Sequence, residues 1–310
     1  MQAASIRIGT RGSPLALAQA HEVRDRLARA HGLHHDAISI KIIKTMGDQI
    51  LDRPLADIGG KGLFTKEIED ALLANEIDVA VHSMKDMQTA LPDGLTIGAV
   101  LPREDVRDAF ISLKYPDIAT LPKGAIIGTS SLRRQAQVLF ARPDLKVIGF
   151  RGNVQTRLKK LQDGVADATF LAVAGLKRLG LADRITSAVP VTQMLPAVAQ
   201  GAIGLEIRVD DARAADMIAA LNDEASALAV TTERAFLARL EGSCRTPIAG
   251  HAELKGTQLI FNGQVLSPDG KFEFSIERLG TNLQAIDLGF HAANEILGMG
   301  ANIALQRPSV

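Results

Sequence analysis

The sequence predicts an α/β protein with more than one domain, ending in a smaller α+β domain. Strand and helix patterns alternate along the first two-thirds of the chain, an order typical of parallel sheets covered by helices. The alternation restarts near residues 101–104, and the last third instead shows a helix, three strands and a helix. A single core stops growing near roughly 250–300 residues, so a chain of 310 residues should hold two or three domains.

The first strand and helix are predicted from an apolar run followed by a helix start signal. Residues 6–10 form the strand, and Ser13 then caps a helix that has Pro14 at its first position. The connection 45–63 contains Gly and Asp, and connections of this length in a compact domain are usually functional lids or disordered. The other elements predicted in this part are strands at 38–43 and 78–82 and a helix at 67–75.

Later elements are predicted from the same patterns. In the second part of the chain we expect strands at 109–113, 125–128, 145–150 and 168–173, and helices at 130–141 and after Asn153. In the last part we expect helices at 225–240 and 283–297 and strands at 251–254, 259–266 and 272–278. Because ligands of parallel α/β sheets bind beyond the carboxyl ends of the strands, functional residues are expected there.

Five arginines lie in short Gly/Ser/Asn turns that join a predicted strand to a predicted helix. They are Arg11, the adjacent Arg133 and Arg134, and Arg151 with Arg157. A helix start carries free N–H groups and a positive dipole end, so a cation there is mildly unfavourable. Guanidinium groups at three such starts are explained if a strongly anionic ligand binds among them. We therefore predict a ligand that carries several carboxylates or phosphates.

The composition limits the class of that ligand. The 35 Lys and Arg residues balance 35 Asp and Glu residues, so no global field attracts nucleic acid or an anionic membrane. Aromatic residues make up only 4% of the chain, which disfavours base-stacking platforms for single strands. Neither a P-loop nor a dinucleotide fingerprint is present, and this disfavours a nucleoside triphosphate. A discrete small-molecule site is favoured, with no nucleic-acid or membrane partner.

Lys85 and Asp86 follow the predicted strand that ends at His82. An acid beside a base at a strand end can exchange protons or stabilise a developing cation, although a solvated charge pair is the commoner reason for such a sequence. His82 is interpreted as a hydrogen-bonded structural histidine, because no partner cluster is visible.

Cys244 is the only cysteine, so the chain has no internal disulfide and suits a reducing compartment. Most lone cysteines are small buried hydrophobes, but this one lies in a loop of Gly, Ser, Arg and Pro. The adjacent Arg245 would favour the thiolate. A nucleophile or attachment point and a buried structural thiol both remain open. The N-terminus has no basic flank and apolar signal core, so we expect a cytoplasmic protein.

Five segments together resemble the porphobilinogen deaminase family, also called hydroxymethylbilane synthase. The resemblance runs from residue 6 to about residue 251 and weakens beyond it. Its most specific segments are 81–86, 128–137, 151–158, 195–201 and 240–247.

The resemblance implies a monomeric transferase of haem and tetrapyrrole biosynthesis. Such an enzyme joins four porphobilinogen molecules head to tail, with loss of ammonia, and releases hydroxymethylbilane. The chain grows on a dipyrromethane cofactor held by a thioether to Cys244. The implied fold has two periplasmic-binding-protein-like (type II) α/β domains and a small α+β domain that carries the cysteine. The implied boundaries are 1–101 with 202–219, then 102–201, then 220–310.

The resemblance also implies roles for particular residues. Asp86 would accept pyrrole N–H groups, stabilise the cation left when ammonia departs, and protonate the leaving amine. Lys61 would belong to a lid over 45–63 that limits water at the reactive carbon. The residues implied to hold the dipyrromethane carboxylates are Lys85, Thr129, Ser131, Arg133 and Arg134. Those implied to receive the substrate or move the chain are Arg11, Ser13, Arg151, Arg157 and Arg178.

Several positions depart from the family pattern. Gln88 and Val106 stand where proline is common, and Ser243 stands where glycine is common. Arg245 and Thr246 replace a more frequent Gln-Val pair. These changes keep the chemical groups intact and bear mainly on the conformation of the loop at Cys244.

Two other functions remain open at this point. A cytoplasmic protein that binds a polycarboxylate without catalysis would suit the two α/β lobes, but it would need neither Asp86 nor Cys244. An acyl-transfer enzyme that uses Cys244 lacks an identifiable base.

Overall fold

Three sheets organise the part of the chain that the structure, a computed structural model, describes: residues 6–49, 62–243 and 246–305. Lys61, Cys244 and Arg245 lie outside the described residues. The predicted fold class, two α/β domains with a small α+β domain at the end, is confirmed. The structure also defines the bounds of every element within the described ranges.

The elements follow one another in three groups along the chain. The first group is β1 (Ile6–Arg11), α1 (Pro14–His31), β2 (Ile38–Ile43), α2 (Met46–Gln49), α3 (Lys66–Leu73), β3 (Val79–Ser83) and β4 (Leu95–Val100). The second is β5 (Asp108–Ser112), β6 (Ile126–Gly128), α4 (Leu132–Ala141), β7 (Lys146–Ile148), α5 (Val154–Gln162), β8 (Ala168–Ala172), α6 (Val173–Arg178) and β9 (Ser187–Ala188). The third is β10 (Ile203–Arg208), α7 (Ala212–Ala219), α8 (Glu224–Arg239), β11 (Ile248–Lys255), β12 (Gln258–Leu266), β13 (Glu273–Thr281), α9 (Ala285–Gly298) and α10 (Ala301–Leu305).

The first two sheets are mixed, so the prediction of parallel sheets is wrong in one strand of each. The first sheet has the order β2-β1-β3-β10-β4, and β10 runs antiparallel to β3 and β4. The second has the order β7-β6-β8-β5-β9, and β5 runs antiparallel to β8 and β9. In both sheets the fourth strand is thus reversed. The alternation of strands and helices predicts neighbours along the chain but not the direction of a strand that joins from elsewhere.

The chain divides into two compact units, each formed from two stretches of sequence. The first unit comprises Met1–Glu104 and Ala202–Ala227, and the second comprises Asp105–Gly201 and Leu228–Val310. The first unit therefore holds the first sheet, including β10, which the chain forms about one hundred residues after β4. The second unit holds both the second sheet and the C-terminal sheet β11-β12-β13.

Helix α1 begins and ends as its sequence predicts. The Ser13 hydroxyl accepts a hydrogen bond from the Ala16 N–H, and Pro14 occupies the first turn. Gly32 ends the helix in a left-handed conformation with φ +62°, which glycine adopts without strain. The inner face of the helix buries Val23 and Leu27 completely against the first sheet. This packing fixes the end of β1, where Arg11 lies, and the short turn that leads into α1.

Helices α8 and α9 pack against the C-terminal sheet and against each other. The Phe236 and Phe261 rings join α8 to β12 with centroids 4.9 Å apart. Gly289 lets α9 approach α8, because a Cβ at that position would lie 2.1 Å from the Thr232 carbonyl oxygen. Within the described ranges, no helix combines the length and the apolar character needed to cross a membrane.

Candidate active site

The predicted arginine pair, Arg133 and Arg134, is buried against an aspartate at the start of β5. Arg133 is 4% exposed, Arg134 is 5% exposed and Asp108 is fully buried. The Arg134 Nε and Nη2 groups donate to Asp108 Oδ1 over 3.1 and 2.7 Å. The Nη2 group of Arg133 lies 2.8 Å from Asp108 Oδ2. Asp108 is thus the shared counterion of the pair.

The charges of this cluster do not balance among its three side chains. Burial alone would raise the pKa of Asp108, but the neighbouring guanidinium groups outweigh burial and hold that pKa below its ordinary value. Burial lowers the pKa of Arg133, and Asp108 offsets part of this effect. Two guanidinium groups share one carboxylate, which leaves one positive charge in excess. The buried Nε of Arg133 has no hydrogen-bond partner among the described residues. The cluster therefore suits an additional anion.

Backbone carbonyl groups fix the orientation of the arginine pair. The Arg133 Nη1 group donates to the Leu195 carbonyl oxygen over 2.8 Å. The Arg134 Nη1 group donates to the Phe170 carbonyl oxygen, also over 2.8 Å. Each guanidinium group is held on two sides, so the pair is preorganised.

The hydroxyl groups of the turn before α4 act as hydrogen-bond acceptors for the backbone. Thr129 Oγ1 accepts from the Ser131 N–H over 3.2 Å. Ser131 caps the helix, because its hydroxyl accepts from the Arg134 N–H over 3.4 Å. The structure thus gives both residues a part in shaping the turn that carries the arginine pair.

Three further arginines follow β7 and β8, the strands on either side of β6 in the second sheet. Arg157 Nε donates to the Gly152 carbonyl oxygen over 2.8 Å, and Arg178 Nη2 donates to the Gly201 carbonyl oxygen over 3.0 Å. Arg151 has a buried Nη1 atom without a hydrogen-bond partner in the described part of the chain. Asn153 caps α5 as predicted, by accepting from the Thr156 N–H.

In the first unit, Lys85 and Asp86 lie in a single 3-10 turn directly after β3. Asp86 is exposed and Lys85 is half-buried. The turn begins at Met84, whose N–H donates to the Ala202 carbonyl oxygen and whose side chain packs on Gly204 of β10. A Cβ on Gly204 would lie 2.0 Å from the Met84 sulfur. The position of the turn therefore depends on a glycine in the neighbouring strand.

Side-chain hydrogen bonds from two residues, His82 and Ser83, hold the end of β3. His82 Nε2 lies 2.9 Å from Glu206 Oε2, and both side chains are buried. The interpretation of His82 as a structural histidine is thus confirmed, with Glu206 as the partner that the sequence did not reveal. Ser83 exchanges hydrogen bonds with Gln19 of α1 over 2.8 and 3.1 Å.

Arg11 and the residues that flank the predicted lid lie beside each other in the first unit. The Arg11 guanidinium carbon lies 4.2 Å from the centre of the Phe64 ring, a cation–π contact. Of the segment 45–63, the structure describes the short helix α2 and a hydrogen bond from the Gly47 N–H to the Leu63 carbonyl oxygen. Lys61 itself lies outside the described residues.

Within each unit, the predicted site residues gather at one edge of a sheet. In the first unit Arg11 ends β1 and the others follow β1 or β3, which are parallel neighbours. In the second they follow β6, β7 and β8, which are also parallel neighbours, and the reversed strand β5 brings Asp108 to the same edge. The first unit holds Arg11, Ser13, Lys85 and Asp86, and the second holds Thr129, Ser131, Arg133, Arg134, Arg151, Arg157 and Arg178.

Comparison with known proteins gives matches over most of the chain. The family model described as porphobilinogen deaminase, dipyromethane cofactor binding domain, matches residues 6–216, and the model for the porphobilinogen deaminase C-terminal domain matches residues 227–298. The porphobilinogen deaminase of Paracoccus denitrificans is 63% identical over 293 residues, which cover 94% of both chains. The chloroplastic porphobilinogen deaminase of Oryza sativa is 58% identical over 89% of this chain and 78% of its own. The solved structure of the methionine binding protein MetQ is 12% identical, with a TM-score of 0.46 over 71% of this chain and 91% of its own.

Proposed function

This chain belongs to the porphobilinogen deaminase family, and we propose that it performs that family's reaction with the residues gathered at the two sheet edges. The reaction joins four porphobilinogen molecules head to tail, loses one ammonia at each condensation and releases hydroxymethylbilane. The chain is therefore a transferase of tetrapyrrole biosynthesis, with a dipyrromethane cofactor as primer. Binding of a polycarboxylate without catalysis gains no support from the family.

The buried arginine pair is the observation that carries this proposal. A dipyrromethane bears an acetate and a propionate on each of its two pyrroles, so it brings several carboxylates to one place. The excess positive charge beside Asp108 and the unpartnered Nε of Arg133 fit such a group. When bound, the dipyrromethane supplies the pyrrole carbon to which the first substrate is joined. We assign its attachment to Cys244, and its carboxylates to Arg133 and Arg134 together with Lys85, Thr129 and Ser131.

Asp86 is proposed as the catalytic residue. A porphobilinogen pyrrole offers an N–H donor, and loss of ammonia leaves a positive charge on the substrate. A carboxylate accepts that hydrogen bond and stabilises that charge, whereas a neutral or cationic side chain does not do both. As a carboxylic acid, Asp86 can also deliver a proton to the leaving amine. Its exposure at the end of β3 leaves the carboxylate accessible to a substrate.

The remaining cations are proposed to bind the incoming substrate and the growing chain. Arg151 supports this role with its buried, unpartnered Nη1 atom. Lys61 is assigned to a lid that excludes water while the reactive carbon is exposed. We further propose three domains with the boundaries predicted from the sequence, a monomer, and a cytoplasmic location. The residues assigned to the substrate are Arg11, Ser13, Arg151, Arg157 and Arg178.

Ammonia release measured together with the product tests the function directly. The purified chain is incubated with porphobilinogen, and we expect four ammonia molecules for each hydroxymethylbilane formed. The variant Asp86→Asn should bind porphobilinogen in a calorimetric titration but release almost no ammonia. Binding by the unmodified chain with no ammonia release would contradict the proposal and favour a binding protein.

A further inference from the structure

Glu233 of α8 is a fully buried carboxylate that accepts two backbone N–H groups from different elements. Its Oε2 accepts from the Ala199 N–H over 2.5 Å, and its Oε1 accepts from the Ala252 N–H over 2.7 Å. Ala252 belongs to β11, and Ala199 belongs to the loop of residues 195–201 that follows the second sheet. The one side chain therefore joins a helix, a strand and a loop.

Ala199 has an unfavourable backbone conformation at the point where Glu233 binds it. Its φ is +58°, in the left-handed region that residues with a Cβ rarely adopt, and the residue is fully buried. A carboxylate that accepts the N–H of such a residue favours this conformation over its alternatives. Glu233 therefore stabilises the backbone of the loop where the backbone is most strained.

Gln200, the residue after Ala199, connects the loop to Asp108, the shared counterion of the arginine pair. Gln200 is 1% exposed, and its Nε2 group donates to Asp108 Oδ1 over 3.1 Å and to the Val106 carbonyl oxygen over 2.8 Å. The conformation of Ala199 sets the direction in which the Gln200 side chain leaves the loop. Asp108 in turn binds both guanidinium groups, so its position decides theirs.

The beginning of the same loop contacts the arginine pair directly. The Leu195 carbonyl oxygen accepts from Arg133 Nη1 over 2.8 Å and from Gln137 Nε2 over 2.9 Å. The neighbouring Pro196 carbonyl oxygen accepts from the Gly250 N–H of β11 over 3.1 Å. The loop thus lies between the arginine pair on one side and the C-terminal sheet on the other.

We propose that Glu233 is a positioning residue that locks the 195–201 loop and thereby fixes the arginine pair relative to α8 and β11. In the sequence, α8 precedes residue 244 and β11 follows it. The inference rests on the proposed function, in which that pair holds the dipyrromethane carboxylates. It adds that the binding site is shaped from the C-terminal sheet through one buried carboxylate.

The test compares Glu233→Gln, Ala199→Gly and the double variant. An amide can accept only one of the two N–H groups and faces the other with its own N–H groups, so Glu233→Gln should loosen the loop. Hydrogen exchange of the peptide containing residues 195–201 should accelerate on the order of 10-fold. The fraction of chains carrying dipyrromethane, measured as intact mass, should fall several-fold. Thermal melting checks that each variant folds.

Rescue separates a positioning role from a general loss of stability. Glycine adopts the left-handed conformation without strain, so Ala199→Gly should restore most of the dipyrromethane content lost in Glu233→Gln. Ala197→Gly loosens the same loop without relieving the strain at Ala199. Combined with Glu233→Gln, it should restore none of the lost dipyrromethane content. A double variant that stays as poorly loaded as Glu233→Gln overturns the proposal. So does an unchanged exchange rate in the single variant.

Substitutions of Gln200 and of the arginine pair provide two further tests. If Glu233→Gln does not fold, Gln200→Leu provides the test. This substitution removes the hydrogen bond between the loop and Asp108, and it should lower the dipyrromethane content without preventing folding. Full loading of a folded Gln200→Leu variant would overturn the inference. If Arg133→Gln and Arg134→Gln load normally, the assignment of the arginine pair is wrong, while the exchange result still reports on the loop.

Discussion

Asp108 is a single residue on which the charge and geometry of the proposed binding site depend. Both guanidinium groups of the arginine pair depend on this one fully buried carboxylate. We expect Asp108→Asn to lower the free energy of unfolding by about 3–5 kcal/mol, because breaking a buried ion pair leaves charge without compensation. Urea unfolding measures the change. Asp105→Asn is the matched control, because Asp105 binds the half-exposed Arg107 and should cost about 1 kcal/mol or less.

The same residue predicts how stability depends on pH. The pKa of Asp108 is depressed in the folded chain, so its ionised form is favoured by folding. Its contribution is complete above the unfolded-state value of about 4 and disappears as the pH falls through the lower, folded-state value. Unfolding curves between pH 7 and pH 3 should therefore show a loss of stability toward acid that is smaller in Asp108→Asn. Equal losses in the two proteins would contradict this assignment.

Substitution of Asp86 tests the catalytic role proposed for that residue. Asp86→Asn keeps the shape of the side chain but removes the charge and the acid, so kcat should fall by about 10²–10⁴-fold with little change in KM. Steady-state kinetics with porphobilinogen provide the measurement. Asp93→Asn changes an exposed acid in the same unit and should leave kcat unchanged. Near-normal turnover of Asp86→Asn would remove the role assigned here.

Several of the residues that matter could not be found from the sequence, for one physical reason. Asp108 begins an apolar strand and reads as an ordinary strand end, because its partners lie 25 and 26 residues away. Glu206 is 124 residues from His82, and Glu233 is 34 residues from Ala199. The arginines were recognisable because each lies in a local turn signal. Their counterions were not, because pairing depends on the tertiary fold.

At the scale of elements, local signals predicted helix starts better than strand ends and directions. The bounds of β2 match the prediction, and the caps at Ser13 and Asn153 form as expected. The strand predicted at 251–254 begins at Ile248 in the structure. The prediction started too late because Gly250 interrupts the apolar pattern. That glycine is explained by packing, since a Cβ there would lie 3.2 Å from a methyl group of Val198.

Strand β10 should control the catalytic turn through another glycine. In Gly204→Ala the new methyl group would collide with the Met84 sulfur and move the turn that carries Asp86. We expect a loss of about 1–3 kcal/mol in stability and a lower kcat. Gly98→Ala changes β4 of the same sheet and crowds Ile207 of β10 and Ile218 of α7, so it should lose stability without lowering kcat. A similar kcat in the two folded variants would show that β10 does not position Asp86.

At the scale of the whole molecule, charge is balanced in total but arranged unevenly. Equal numbers of acidic and basic residues give no net charge, yet the predicted site residues at the two sheet edges are mostly cationic. Two sheets that each have their fourth strand reversed place these residues at the carboxyl ends of parallel strands. In the proposed function a ligand with many carboxylates is bound by this local charge, and the zero net charge of the chain gives no general attraction for other polyanions.

This arrangement predicts that the chain is less stable without its cofactor. Cys244→Ser should have the mass of the bare polypeptide and no activity. The wild-type chain should be heavier by one dipyrromethane. Without those carboxylates the arginine pair keeps its excess charge, and each lost charge-assisted hydrogen bond is worth about 1.5–3 kcal/mol. The melting temperature of Cys244→Ser should therefore fall by at least about 3 °C. Ser243→Ala leaves the thiol in place and should match the unmodified chain in mass and melting temperature. Active protein with only the bare mass would show that Cys244 holds no primer.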